Sequence, residues 1–256
     1  MIVIIMAGGL GKRMESELPK VLHQVVYPLD ITKSFPMIVH IINTSIKIGA
    51  NKIFVIVGKY KDIIKKTIDE YIEITDFIEY IEQEPALGTG HAIKCALPSL
   101  SEYMDERALI LSGDVPLISL STLTSLNDNK NKILITELSN PYGCGRILFD
   151  KLNSDKIIGI REEKDCNEDE KNIKFVNCGI YQIKVSELIE LIPLINNNNK
   201  SNEYYLTDII GLMIGKSIQI ETFVLEKELQ YEIKNVNTKK DLEELNEYIK
   251  NKFNHN

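Results

Sequence analysis

The sequence predicts an α/β fold: a mostly parallel sheet flanked by helices, with a small β-rich lobe attached. Three observations predict it. Residues 2–6, 53–57 and 108–111 are short runs, apolar throughout, as strands buried on both faces are. Stretches with apolar residues at helical spacing alternate with them, at lengths suited to crossovers between parallel strands. Each apolar run also ends at glycine: Ala7-Gly8-Gly9, Gly58 and Ser112-Gly113-Asp114. Loops at that edge of a parallel sheet are where such folds bind ligands.

The elements follow in order. Residues 2–6 form the first strand and open directly into a glycine-rich loop, Ala7 to Met14. Pro28 and Pro36 break the segment after His23. Met37, Ile38, Ile41, Ile42 and Ile46 mark a helix over 37–48, stopped by Gly49. A strand at 53–57, a surface helix over 61–71 and a strand at 77–82 follow. Leu87-Gly88-Thr89-Gly90 opens a helix that runs to Leu97 and closes at Pro98. The strand at 108–111 leads through Gly113-Asp114 to a helix capped by Ser119 or Ser121. A strand at 132–137 completes the parallel part.

From about residue 140 the texture changes. Short strands at 146–149, 156–161 and 174–183, separated by turns and a charged loop, suggest a β-rich lobe over the sheet's C-terminal edge. Beyond it the pattern gives a helix over 186–194, a polar loop at 196–202, a helix over 207–214, a strand at 218–224 and a closing helix over 239–252. The chain reads as one domain, 1–256. Residues 1–137 form its first half and 138–230 its second, and 231–256 supply a C-terminal strand and helix.

The 256 residues suffice for a sizeable core, and 44% hydrophobic with 26% charged residues is ordinary for a globular chain. A formal net charge of −7 argues against broad binding to nucleic acid or anionic membranes. An anionic ligand then needs a local basic site, which Lys12, Arg13 and Lys20 supply. Cys95, Cys144, Cys166 and Cys178 show no metal-type spacing and read as free thiols of a reducing compartment. The first apolar run is too short for a signal peptide or a membrane span, so a cytoplasmic location is expected.

The glycine loop fits neither of the two familiar phosphate motifs. A Walker A loop needs Ser or Thr after its lysine, and Arg13 stands there; a dinucleotide fingerprint needs glycine where Met14 stands. Clustered glycines with Arg13 and Lys20 still suit phosphate. Asp114, just past a buried strand, suits Mg²⁺, although Gly-Asp is equally a turn composition. Gln83 offers both a donor and an acceptor to a pyrimidine edge, and Thr89 a hydroxyl; an ordinary loop before a helix cap reads as well. Gly143, Glu162, Asn177, Thr207 and Asn237 are each compatible with structural roles. No histidine pair or Ser-His-Asp arrangement can be argued.

Taken together and in order, these stretches resemble the nucleotidyltransferases that make sugar nucleotides. The likeness is strongest to the uridylyltransferase (pyrophosphorylase) domain of bacterial N-acetylglucosamine-1-phosphate uridylyltransferases. It rests on Ala7 to Met14 with Pro19-Lys20-Val21-Leu22-His23, on Leu87-Gly88-Thr89-Gly90-His91-Ala92, and on Gly113-Asp114-Val115-Pro116-Leu117. Further on it rests on Gly143-Cys144-Gly145-Arg146-Ile147, Glu203-Tyr204-Tyr205-Leu206-Thr207-Asp208 and Val236-Asn237.

The resemblance implies a Rossmann-like nucleotide-diphospho-sugar transferase fold whose β-rich lobe binds the sugar. It implies transfer of UMP from UTP to N-acetylglucosamine-1-phosphate, with Mg²⁺ as cofactor. Ala7, Gly8 and Gly9 would line the uridine and phosphates, and Gln83, Gly88 and Thr89 would read uracil. Gly143, Glu162, Asn177 and Thr207 would hold the sugar. Arg13, Lys20 and Asp114 would be catalytic, with Lys20 also binding substrate, and Asp114 and Asn237 would hold the metal. Another sugar-1-phosphate, glucose or mannose, or a non-catalytic sugar-nucleotide-binding subunit are the alternatives. Lys12, Ser112 and Cys178 depart from the family's usual residues, and the 26–36 segment is longer than usual. The β-helix acetyltransferase domain of the bifunctional enzymes does not follow in this sequence. A monomer or homodimer is therefore expected rather than a trimer, with small-molecule partners, no nucleic acid and no membrane.

Overall fold

A computed structural model describes residues 1–9, 11–152 and 156–253, the Lys12 side chain excepted. The first strand, β1 (Ile2–Met6), lies inside the sheet, with neighbours on both sides. Two 3-10 turns (Lys12–Met14 and Lys20–Leu22) lead to β2 (Gln24–Tyr27), β3 (Asp30–Pro36) and helix α1 (Met37–Lys47). Then come β4 (Lys52–Val57), α2 (Lys61–Tyr71), β5 (Ile78–Glu82), α3 (Thr89–Leu100), β6 (Arg107–Ser112), α4 (Leu120–Leu126) and β7 (Lys132–Glu137). The second half holds β8 (Arg146–Phe149), β9 (Ile157–Arg161), a short α5 (Glu168–Lys171) and β10 (Phe175–Lys184). The chain continues through α6 (Val185–Leu191), α7 (Asp208–Gly215), β11 (Glu221–Val224) and α8 (Lys239–Phe253).

The main path of the sheet runs β11-β7-β10-β6-β1-β4-β5. Neighbours are parallel except at β10, which pairs antiparallel with both β6 and β7. Placing this strand wholly within the β-rich lobe therefore needs correcting. Its C-terminal half is a central strand, with Tyr181, Ile183 and Gln182 buried between β6 and β7. Its N-terminal end carries the lobe, because Val176 pairs with Arg146 of β8, and β8 pairs with β9. The register breaks between Asn177 and Tyr181, at Gly179, whose φ is 72°. One strand thus serves both the main path of the sheet and the β8-β9 branch by bending at a residue that tolerates a left-handed backbone.

The alternation along β1 sets the layers. Ile2 and Ile4 face a core closed by Ala92, Ile93 and Ala96 of α3, Leu188 of α6 and Ile209 and Met213 of α7. Val3 and Ile5 face the opposite core, closed by Ile38, Ile41 and Ile42 of α1, Ile64 and Ile68 of α2 and Leu123 of α4. Successive strand residues point to opposite faces, so an all-apolar strand needs helices on both.

Four other expectations change. The segment around Pro28 is a hairpin: β2 and β3 pair antiparallel, with Pro28 in the turn and Pro36 at the cap of α1. Val25 and Val26 of the hairpin bury against Leu245 and Ile249 of α8, and Asn246 accepts a bond from the Val26 N–H. Helix α3 does not close at Pro98 but continues to Leu100. Pro98 is exposed, so the carbonyl it leaves unpaired can be hydrated. Ser119, not Ser121, caps α4, its Oγ accepting from the Thr122 N–H. No strand lies among the described residues after Val224; residues 227–233 form 3-10 turns. The backbone of 236–238 is used instead in binding Asp114 and in capping α8, where Thr238 Oγ1 accepts from Asp241 N–H and Asp241 accepts from Thr238 N–H.

Candidate active site

Parallel register brings Met6, Val57, Glu82 and Ser112 to one edge of the sheet. The loops leaving that edge build two adjoining clefts, of about 290 Å³ and about 620 Å³. Apart from Lys12, whose side chain lies outside the described residues, the site residues expected from the sequence line one or the other. Ala7, Gly8, Gly9, Lys20, Gln83, Gly88, Thr89 and Asp114 line the smaller. Arg13, Gly143, Glu162, Asn177, Thr207 and Asn237 line the larger. Met6, Thr89 and Ser112 belong to both, so the clefts meet at the sheet edge.

The smaller cleft depends on close backbone approaches. A Cβ on Gly8 would lie 2.9 Å from Gln83 Oε1, so glycine lets the loop pass over that side chain. Gln83 donates to the Gly88 carbonyl at 2.9 Å, which fixes its amide in the cleft wall. Gly88 has φ 111°, and a Cβ there would meet the Tyr204 carbonyl at 2.5 Å. Thr89 Oγ1 accepts from the Leu206 N–H at 3.0 Å. The Leu-Gly-Thr-Gly and Glu-Tyr-Tyr-Leu-Thr stretches are therefore packed against each other, and each needs the other's backbone.

Between the clefts lies a polar cluster. Lys20 Nζ donates to Asp114 Oδ2 at 2.5 Å and to Asn237 Oδ1 at 3.2 Å. Gly11, at φ 58°, makes room for it, since a Cβ there would stand 2.8 Å from Lys20 Cβ. The other Asp114 oxygen, Oδ1, accepts from Ser112 Oγ at 2.6 Å and from Asn235 Nδ2 at 3.4 Å. Val236 N–H donates to the Asp114 carbonyl, and Asn237 N–H donates to Asp241, so the cap of α8 fixes Asn237. Arg13 stands on an exposed turn pinned by buried Met14 and makes no ion pair with another described residue.

Asp114 Oδ2 and Asn237 Oδ1 are hard oxygen donors that already converge on a cation, the Lys20 ammonium. Such a set could hold Mg²⁺, which takes one or two protein oxygens and completes its shell with substrate phosphates and water. Among the described residues no group of three or more His, Cys, Asp or Glu side chains could hold a metal, so no all-protein cage competes with it.

The larger cleft is walled by the lobe. Thr207 Oγ1 donates to Glu162 at 2.8 Å. Burial pushes the Glu162 carboxyl above the usual range; the Thr207 bond opposes this, and Asp208, Asp165 and Glu203 reinforce it. Asn177 donates to Tyr181 Oη at 2.7 Å and accepts from Gly179 N–H at 2.9 Å. Glu163 accepts from Gly143 N–H at 3.1 Å and from the fully buried Arg146 at 2.6 Å, while Arg146 also donates to the Cys144 carbonyl. The Gly143 turn is thus held by an ion pair beneath it.

With the two clefts and the strand order described, comparison with known proteins gives the family. The Nucleotidyl transferase family model matches residues 2–252. The chain belongs to the nucleotidyl transferase family. It is 43% identical over 250 residues to a "probable UDP-N-acetylglucosamine pyrophosphorylase" of Acanthamoeba polyphaga mimivirus, covering 94% of this chain and 93% of that one. It is 37% identical to the "bifunctional protein GlmU" of an Azoarcus species, over 95% of this chain and 51% of that protein. The chain thus spans about half the length of this bacterial relative. Its backbone also matches a crystal structure of a UDP-glucose pyrophosphorylase complexed with UDP-glucose, with a TM-score of 0.75, 17% identity and 98% of each chain covered. At that identity the likeness shows the fold.

Four residues of this candidate site are not picked out by sequence reasoning. In the sequence Ser112 stands out only as a departure from the family pattern, yet it holds Asp114. Asn235, two positions before Asn237 and therefore on the same side of an extended segment, was the one with a signal. Glu163 and Tyr181 act through Gly143 and Asn177, by contacts that no spacing reveals. All four cysteines are free, and among the described residues no helix is long and apolar enough to cross a membrane.

Proposed function

We propose that the chain transfers UMP from UTP to N-acetylglucosamine-1-phosphate, giving UDP-N-acetylglucosamine and pyrophosphate. The observation that carries this reading is the junction of the two clefts at Lys20, Asp114 and Asn237. A cleft lined by a glycine loop and a glutamine amide suits a nucleotide. One walled by Glu162, Asn177 and Thr207 suits a polyhydroxylated ring. The reacting phosphates then fall at the polar junction between them, beside the Lys20 ammonium. The relatives named for UDP-N-acetylglucosamine or for GlmU support the choice of sugar.

In this reading a phosphate oxygen of the sugar phosphate attacks the α-phosphorus of UTP. The bond from that phosphorus to the pyrophosphate oxygen breaks, and its electron pair leaves with pyrophosphate. The protein's work is positioning and charge neutralisation. Ala7, Gly8 and Gly9 present backbone to uridine and the phosphates. Gln83, Gly88 and Thr89 read the base. Gly143, Glu162, Asn177 and Thr207 orient the sugar. Lys20 orients the α-phosphate, and Arg13, exposed at the mouth, balances charge building on the leaving pyrophosphate. Asp114 and Asn237 would hold Mg²⁺, which when bound supplies a counter-charge to the phosphate oxygens. The test is release of pyrophosphate from UTP and N-acetylglucosamine-1-phosphate in the presence and absence of Mg²⁺. Metal-dependent release supports the reading. Tight UDP-sugar binding with no release from any sugar phosphate would assign the chain to a binding role instead.

A further inference from the structure

The Asp114–Asn237 oxygen pair is occupied by a side chain of the protein itself. Lys20 Nζ bridges Asp114 Oδ2 and Asn237 Oδ1, at 2.5 and 3.2 Å. The geometry around it is over-determined. Asp114 Oδ1 is held by Ser112 and Asn235, so only Oδ2 faces the junction. Asn237 is fixed through its backbone to the cap of α8. Lys20 starts from a turn anchored by buried Val21 and Leu22, and its ammonium ends a flexible four-carbon stem. Both partners of the ion pair are largely buried, with side-chain exposures of 14% and 11%.

A divalent ion held by the same two oxygens would need the space the ammonium fills. Two cations cannot share it: steric overlap and unscreened repulsion both forbid this in a buried site. We propose that Lys20 is an internal place-holder for the metal, and that Lys20 and the divalent ion are alternative occupants of one site. The proposal rests on the reading of Asp114 and Asn237 as the metal pair. It makes the nucleotide-free protein a poor metal binder, because the incoming ion must first displace a well-placed ammonium. A triphosphate changes the balance. Lys20 also lines the cleft beside Gly8 and Gly9, where phosphate oxygens would take over its N–H donors. Nucleotide binding then frees the oxygen pair for the ion, so the two ligands favour each other and metal loading follows the nucleotide. One lysine thereby couples metal occupancy to substrate occupancy.

The experiment is Mn²⁺ binding to the full chain without nucleotide, followed by electron paramagnetic resonance of the free ion and by calorimetry. Lys20→Met should bind Mn²⁺ about tenfold or more tightly than the natural protein, because the competing charge is gone. Lys20→Arg, which keeps a charge, should gain nothing. Equal affinity in the natural protein and Lys20→Met would overturn the proposal, as would the same gain in Lys20→Arg. Should Lys20→Met not fold, by circular dichroism, Lys20→Gln carries the same test. Adding Asp114→Asn to Lys20→Met separates this inference from the reading beneath it. Loss of the gained affinity supports both. A gain that persists without the Asp114 carboxylate would place the ion elsewhere and overturn Asp114 as its ligand.

Discussion

Ser112 Oγ donates to Asp114 Oδ1 at 2.6 Å, across a single intervening glycine. That bond divides the carboxylate: one oxygen is held by the protein, and the other is turned toward Lys20 and Asn237. Gly113 makes the arrangement possible. Its N–H pairs with the Met6 carbonyl, and a Cβ there would lie 2.9 Å from that oxygen. The strand therefore turns sharply, and Asp114 returns over its own end.

Ser112 should accordingly matter through Asp114. Ser112→Ala is expected to raise the Mg²⁺ concentration for half-maximal pyrophosphate release by about tenfold, the scale seen when a partner that orients a metal ligand is lost. Ser112→Thr, which keeps the hydroxyl, should stay close to the natural value. A Mg²⁺ titration of the three proteins reads this directly.

Arg13 is exposed and unpaired among the described residues, so its removal should leave folding intact. Arg13→Ala is expected to lower turnover by roughly two orders of magnitude or more, as loss of one preorganised charge contact does. The melting temperature should stay within about 1 °C. Steady-state kinetics beside a thermal melt separates the two effects.

Gly88 is fixed by both space and backbone. Gly88→Ala puts a methyl 2.5 Å from the Tyr204 carbonyl on a residue at φ 111°, and the obstacle is backbone that cannot rotate away. The expected cost is about 2–4 kcal/mol, from strain and overpacking together. Base recognition should weaken too, because the Gly88 carbonyl holds Gln83. Denaturant unfolding gives the first effect, and KM for UTP the second.

Glu162 gives a pH signature. Its carboxyl is raised above its ordinary 4.5 by burial, so the folded protein holds that proton more tightly than the unfolded chain. The associated stability is complete below the ordinary value and is lost as pH rises through the folded one. Glu162→Gln removes the ionisation. The variant should melt higher than the natural protein at pH 8, by on the order of 2 °C, and the gap should close toward pH 4. Melting curves across that range check the sign.

Much of the fold was legible because the strands are apolar without interruption and glycine marks their ends. The hairpin at 24–36 was not, since its two prolines read as breaks, and its apolar face is covered by α8 from the far end of the chain. Nor was the antiparallel placement of β10: an apolar run records burial, not direction. Every residue nominated for the site lines a cleft, because motif residues sit on loops at one sheet edge. The residues that hold them were hidden. In the sequence Arg146 is only one member of the Gly143–Ile147 stretch; in the structure its guanidinium is fully buried against Glu163. Ser112 becomes meaningful only once Gly113 folds it back to Asp114.

The central claim is the pairing of UTP with N-acetylglucosamine-1-phosphate at this site. It is tested most directly by kcat/KM for a matrix of nucleoside triphosphates against sugar-1-phosphates, with Mg²⁺ present and pyrophosphate as the readout. UTP with N-acetylglucosamine-1-phosphate should be among the best pairs, and glucose- and mannose-1-phosphate should fall below it. A matrix led by another base or another sugar, with that pair near background, would contradict the account.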